Sequence, residues 1–219
     1  PKAIPVCGCG KIGSQRVATL LVRKESQVSI RIVCFFLLTL MMGERLAAED
    51  WIAVGGDRGN MRYSPLKVIH RQNVDQLQVA WVYHTGELDR PRKKIIECTP
   101  LVIDGVMYIT TGHLRVVALN ASTGDEIWQY DFFAGGGPKT PLASGGVNRG
   151  LAYWTDGKPG GQRRILFGSA SGHLISLDAA TGRLDANFGD GGVKDLREDL
   201  EVDISRMAYG PTSAPAIWA

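Results

Sequence analysis

Residues 97–131 read ECTPLVIDGVMYITTGHLRVVALNASTGDEIWQYD. Three short strands follow one another here. Leu101 to Thr110 is apolar and β-branched, with one turn inside it at Asp104-Gly105. Val116 to Leu119 is a second apolar run, and Ile127 to Tyr130 starts a third strand after Thr123-Gly124. Short strands bounded by Gly, Asp and Asn predict an antiparallel meander.

The phrase VVALNASTGDEIW at 116–128 returns as LISLDAATGRLDA at 174–186. Both copies carry an apolar pair, a small residue, Leu, Asn or Asp, Ala, a small residue and Thr-Gly. Asn or Asp with Thr caps a tight turn, and Gly supplies positive φ. Trp128 presents a ring large enough to wedge between neighbouring sheets and donate its N–H to backbone. The second copy has Ala186 there, with Phe188 two positions on, so that contact is expected to be weaker or built differently. A recurring strand–turn–strand unit predicts one four-stranded sheet per repeat, and sheets repeated in this way predict a β-propeller.

Outward from this unit, Leu77 to His84 alternates Val79, Trp81 and Tyr83 with Gln78, Ala80 and Val82, the pattern of a strand. Ile69 to Leu77 predicts a short helical turn capped near Asn73. Phe132 to Gly146 is too rich in Gly and Pro for a regular element and predicts a long loop, a common place for sites. Asn148–Thr155, Ile165–Ser169 and Leu174–Asp178 predict further strands. Glu198 to Asp203 is acidic and polar.

The 219 residues carry a formal net charge of +3, with 44% apolar and 21% charged residues. That is the composition of a globular protein and argues against a nucleic-acid partner. The densest basic cluster, Arg90 to Lys94, reads as a solvated loop. The 27 glycines suit a fold with many tight turns. The chain begins at Pro1 rather than Met and ends at Ala216-Ile217-Trp218-Ala219, where a new apolar run starts. It is therefore expected to be part of a longer protein.

Residues 32–42, IVCFFLLTLMM, are too few for a membrane span. With Arg23, Lys24 and Arg31 before them and Ala47-Ala48 after, they predict a secretory signal over 31–48 and export to the periplasm, with membrane association left open. Residues 1–30 form an unassigned extension. Gly8-Cys9-Gly10-Lys11-Ile12-Gly13 matches the dinucleotide-binding turn, but no acidic residue follows at the spacing a ribose contact requires. A nicotinamide enzyme stays open on that match alone, testable by NADH binding. Cys7, Cys9 and Cys34 precede the expected cleavage point. Cys98 would then stand alone, with no internal disulfide and no zinc cluster.

The phrase ALNASTGDEIW resembles the tryptophan-docking motif of the quinoprotein dehydrogenases that use pyrroloquinoline quinone (PQQ). The similarity to that family extends, in the same order along the chain, to the independent phrases DWIAVGGDRGNMRYSPL, AWVYHTGE, ECTPLVIDGVMYIT, NRGLAYW and FGDGGVKDLR. The resemblance implies an all-β, eight-bladed β-propeller, with residues 49–219 as its N-terminal two to three blades. It implies that Glu97, Arg149 and Thr212 contact PQQ and that His113 lies near it. Arginine suits the three carboxylates of PQQ. Where methanol-type members carry an adjacent cysteine pair, this chain has Ala143-Ser144, which favours the glucose or polyol type.

The implied activity is oxidation of an alcohol or sugar hydroxyl by hydride transfer to PQQ, with electrons passed to ubiquinone or cytochrome c. The family's calcium ligands and catalytic base would lie beyond Ala219, so the 219-residue chain alone is expected to be inactive. The alternative is a non-catalytic propeller scaffold of the outer-membrane assembly type. Glu97 and Arg149 together argue against it.

Overall fold

A computed structural model describes residues 50–88, 95–134, 142–198, 200–204 and 206–218. The Gly8–Gly13 turn, the signal-like run, Cys7, Cys9, Cys34 and the cluster Arg90–Lys94 lie outside the described residues, as does part of the 132–146 loop.

Two four-stranded antiparallel sheets carry the fold. The first has the order β1 (Leu101–Ile103), β2 (Val106–Thr110), β3 (Arg115–Asn120) and β4 (Glu126–Asp131). The second repeats it with β5 (Ala152–Thr155), β6 (Arg163–Gly168), β7 (His173–Asp178) and β8 (Val193–Asp195). Consecutive strands pair in sequence order, so each sheet is a meander and the pair reads as two successive blades of a propeller. The expected run Leu101–Thr110 is two strands, because Asp104 and Gly105 both take positive φ and reverse the chain between them.

The core lies between the sheets. Leu101, Ile103, Tyr108, Val116 and Ala118 of the first meet Leu151, Ile165, Phe167, Ile175 and Leu177 of the second. Along β3 the alternate residues Val117 and Leu119 are buried too. A strand covered on both faces must be apolar throughout, as VVAL is.

The repeated phrase forms the same turn twice. Asn120 accepts the N–H groups of Ser122 and Thr123 on its side-chain oxygen, and Gly124 follows at φ 77°. Asp178 accepts from the N–H and hydroxyl of Thr181, and Gly182 follows at φ 69°. The Trp128 indole packs on Gly182 and donates its N–H to the Ala179 carbonyl at 3.1 Å. Trp81 repeats this one repeat earlier, packing on Gly124 and donating to the Ala121 carbonyl at 3.1 Å. Ala186 is exposed and replaces neither ring. In place of an immediate fourth strand, the second sheet runs through turns to β8.

Leu77–His84 corrects the expected strand. It has no ladder partner among the described residues, and Val79 and Val82 are exposed. Burial does not follow the alternation, since Val79 is exposed where Trp81 and Tyr83 are part-buried, and a strand also needs a neighbour for its backbone groups. Here Trp81 and Tyr83 are tied instead to the Ala121 carbonyl and the Glu126 carboxylate. The helical turn is present as a short 3-10 turn at Val74–Gln76. Asn73 precedes it, its side chain bonded backward to the His70 N–H and the Val68 carbonyl. The segment Asn148–Thr155 is a strand only from Ala152; before it, Gly150 forms a single parallel bridge with Thr99, and the Asn148 side chain bonds Thr110 and Gly168.

Candidate functional site

Each sheet is entered by a short linker before its first strand, and the linkers meet at one end of the pair. Thr99 donates its N–H to the Arg149 carbonyl at 3.2 Å, and Arg149 donates its own N–H to the Thr212 carbonyl at 2.8 Å. Thr99 and Gly150 form a parallel bridge. Three stretches far apart in sequence are thereby laid side by side.

This backbone arrangement brings together Glu97, Arg149 and Thr212. The Arg149 Nε lies 3.3 Å from a Glu97 carboxylate oxygen, and the same guanidinium donates to the Thr212 hydroxyl at 2.8 Å. Both charged side chains are about half exposed, so the pair is held by its backbone rather than by packing. The guanidinium has more donors than these contacts use, and the Thr212 hydroxyl, accepting from Arg149, keeps its own proton to donate. A cation, a hydroxyl and a carboxylate on one exposed surface suit a ligand with both acidic and neutral polar groups.

His113 is not part of that contact set. It sits in the turn between β2 and β3, its N–H donating to Glu87 at 3.4 Å. Its Nε2 is buried without a hydrogen-bond partner in the structure. A buried ring nitrogen in that state is costly and is the kind of atom a bound polar group would satisfy. The turn is fixed from outside by a buried ion pair in which Arg115 reaches Glu87 at 3.2 Å. Arg115 also bonds the Gln129 side chain at 2.9 Å and the Thr85 carbonyl. Residues 85–87 are thus clamped to the first blade, a contact that pattern reading of the sequence does not reveal.

Two further side chains, Cys98 and Asn148, neighbour the cluster. Cys98, a free thiol, accepts the Thr110 N–H at 3.2 Å, and burial raises its pKa. Asn148 is buried at 4% exposure and bonded in three directions. The only signal for it was its place immediately before Arg149. Ala143 and Ser144, the residues that stand in place of a cysteine pair, open a tight turn in which Ala143 donates to the Ala170 carbonyl at 2.8 Å and Ser144 takes a positive φ of 47°. Ala143 packs there with Leu114 and Ala170.

A mainly apolar cavity of about 410 Å³ opens beside Gly150, lined by Val54, Leu151, Trp154 and Pro215 among others. Glu97, Arg149, Thr212 and His113 do not line it, so the polar cluster and this cavity are separate. Among the described residues no three His, Cys, Asp or Glu side chains are grouped as a metal site.

Residues 51–219 match the family described as PQQ: glucose/ethanol/alcohol dehydrogenase, β-propeller domain. The chain is 35% identical over 178 residues to the glycerol dehydrogenase large subunit of Gluconobacter oxydans, covering 78% of this chain and 24% of that protein. It is 33% identical over 184 residues to the quinoprotein glucose dehydrogenase of Escherichia coli, covering 78% of this chain and 22% of that protein. Among solved structures, the quinohemoprotein alcohol dehydrogenase of Comamonas testosteroni superposes with a TM-score of 0.56 at 31% identity. That match covers 81% of this chain and 23% of the other. The chain spans about a quarter of the length of these relatives.

Proposed function

The chain belongs to the PQQ glucose/ethanol/alcohol dehydrogenase β-propeller family, and from that premise we propose that the protein carrying it oxidises an alcohol or sugar hydroxyl with PQQ. The observation that carries this reading is the meeting of Arg149 with Glu97 and Thr212 at the sheet ends. Arg149 binds a PQQ carboxylate through its planar fork. Thr212 donates its hydroxyl to the same group, and Glu97 holds the guanidinium plane in place. The His113 Nε2, buried and without a hydrogen-bond partner in the structure, would offer the cofactor a hydrogen-bonding group.

When bound, PQQ would supply a carbonyl carbon able to accept hydride, and Ca²⁺ would supply Lewis acidity. The residues of this chain bind and orient. The chain spans about a quarter of the length of its relatives, and on this reading a base and calcium ligands supplied by the complete protein would be needed for turnover. Ala143-Ser144 in place of a cysteine pair favours the glucose or polyol type. Electrons pass to ubiquinone or cytochrome c. The signal-like run at 32–42 supports export to the periplasm.

Titration of the complete protein with PQQ and Ca²⁺, followed by absorbance, tests this. Saturable binding, followed by sugar- or polyol-dependent dye reduction, is expected. A folded, complete protein that binds no PQQ would overturn the proposal.

A further inference from the structure

The side chain immediately before Arg149 is buried, and three hydrogen bonds hold its amide. The Asn148 amide oxygen accepts the Thr110 hydroxyl at 3.0 Å and the Gly150 N–H at 2.9 Å. Its amide nitrogen donates to the Gly168 carbonyl at 2.9 Å. The network admits one orientation of the amide. Flipping it would set the NH₂ against the Gly150 N–H and the oxygen against a carbonyl. Thr110 is the last residue of β2 and Gly168 the last of β6. One amide therefore joins the ends of both blades, one residue from the guanidinium.

We infer that Asn148 is a positioning residue for the cofactor, setting the Arg149 guanidinium in the direction from which it grips a PQQ carboxylate. This rests on the reading that Arg149 binds PQQ. The argument is mechanical. Arg149 is about half exposed, and a long side chain without packing around it takes its direction from its main chain. That main chain is held on both sides. Its N–H goes to the Thr212 carbonyl and its carbonyl accepts from Thr99. Gly150 follows at φ 153°, where a Cβ would come within 3.0 Å of Val54. Asn148 is the side chain in this lock, and it refers the position of Arg149 to both sheets at once.

The alternative is that Asn148 only glues the blades together. A double-mutant cycle on the complete protein separates the two, read as PQQ affinity with Ca²⁺ present, well below the unfolding temperature. Asn148→Ala and the isosteric Asn148→Asp are each expected to weaken PQQ binding about tenfold or more, the scale on which residues supporting a direct ligand act. Asn148→Asp keeps both acceptor contacts but turns an oxygen toward the Gly168 carbonyl. In an Arg149→Ala background the same substitutions are expected to have almost no further effect. Tyr108→Phe, which removes a different inter-blade hydrogen bond, is expected to lower the melting temperature and leave PQQ affinity unchanged. Equal losses with and without Arg149, or unchanged affinity in both folded Asn148 variants, would overturn the inference. Unchanged affinity in Arg149→Ala itself would instead overturn the reading of Arg149 beneath it.

Discussion

The indole of Trp128 packs against Gly182, so close that a Cβ on that glycine would lie 2.5 Å from the ring. Gly182 is at φ 69°, where an L side chain is strained independently of the ring. Gly182→Ala is expected to cost about 2–4 kcal/mol, the sum of left-handed strain and overpacking. Gly124→Ala, under Trp81 at φ 77°, is expected to cost a similar amount. Denaturant midpoints measure both; an unchanged midpoint in either would show that its tryptophan is not seated there.

The Ala179 carbonyl takes two donors, the Trp128 indole N–H and the Tyr108 hydroxyl, each at 3.1 Å. The two rings also touch, with centroids 5.9 Å apart. Tyr108→Phe is expected to lose about 1 kcal/mol, one buried hydrogen bond. Combined with Trp128→Phe, the losses should depart from additivity by about 0.5 kcal/mol or more, because the residues share an acceptor and a contact. Strict additivity in the unfolding free energies would count against that coupling.

Glu87 and Arg115 form an ion pair with side-chain exposures of only 7% and 12%. Glu87→Ala leaves the guanidinium buried with Gln129 and a carbonyl but no anion, at an expected cost of about 3 kcal/mol. The same change frees the N–H of His113, so amide exchange across residues 111–114 should accelerate. Normal protection there would show that the turn stands without Glu87.

His173 supplies a pH dependence. Burial is the first cause that lowers its pKa in the folded state, and Arg197 adds to it, while Asp195 opposes them. Its ring also bonds Ser171 at 3.1 Å and stacks near Phe132. The folded protein therefore binds the proton less readily than the unfolded chain. This contribution is complete above the unfolded value near 6.5 and declines as pH falls below it. His173→Gln should flatten that part of the stability profile. Asp195 has a separate, lower window. Its carboxyl is held at about 2, chiefly by hydrogen bonds from Arg197, so its contribution is lost only as pH falls from 3.8 towards that value. Thermal melts from pH 7.5 to 2 would resolve the two steps. A native profile that stays flat between pH 7 and 5 would contradict the first.

Local chemistry made much of this protein legible in advance. The phrases at 116–128 and 174–186 announce their turns because Asn120, Asp178 and the glycines act within a few residues of themselves. The strands around them follow from apolar runs that must be buried, and the order of the phrases was enough to suggest the family. Leu77–His84 shows where such reading stops. Its alternation grouped Val79 with Trp81 and Tyr83, yet Val79 is exposed and the segment has no ladder partner among the described residues, which is a property of neighbours rather than of its own sequence.

The site divides in the same way. Glu97, Arg149 and Thr212 were named one by one from short motifs, and nothing local joins them. Their meeting depends on how the linkers before successive sheets stack, through backbone bonds from Thr99 to Arg149 and from Arg149 to Thr212. The locked amide of Asn148 and the buried Glu87–Arg115 pair belong to the same class. By itself the sequence determined the blades, because burial and turn chemistry are local. Only the tertiary structure decided which residues hold Arg149 in place, because that depends on two sheets arriving side by side.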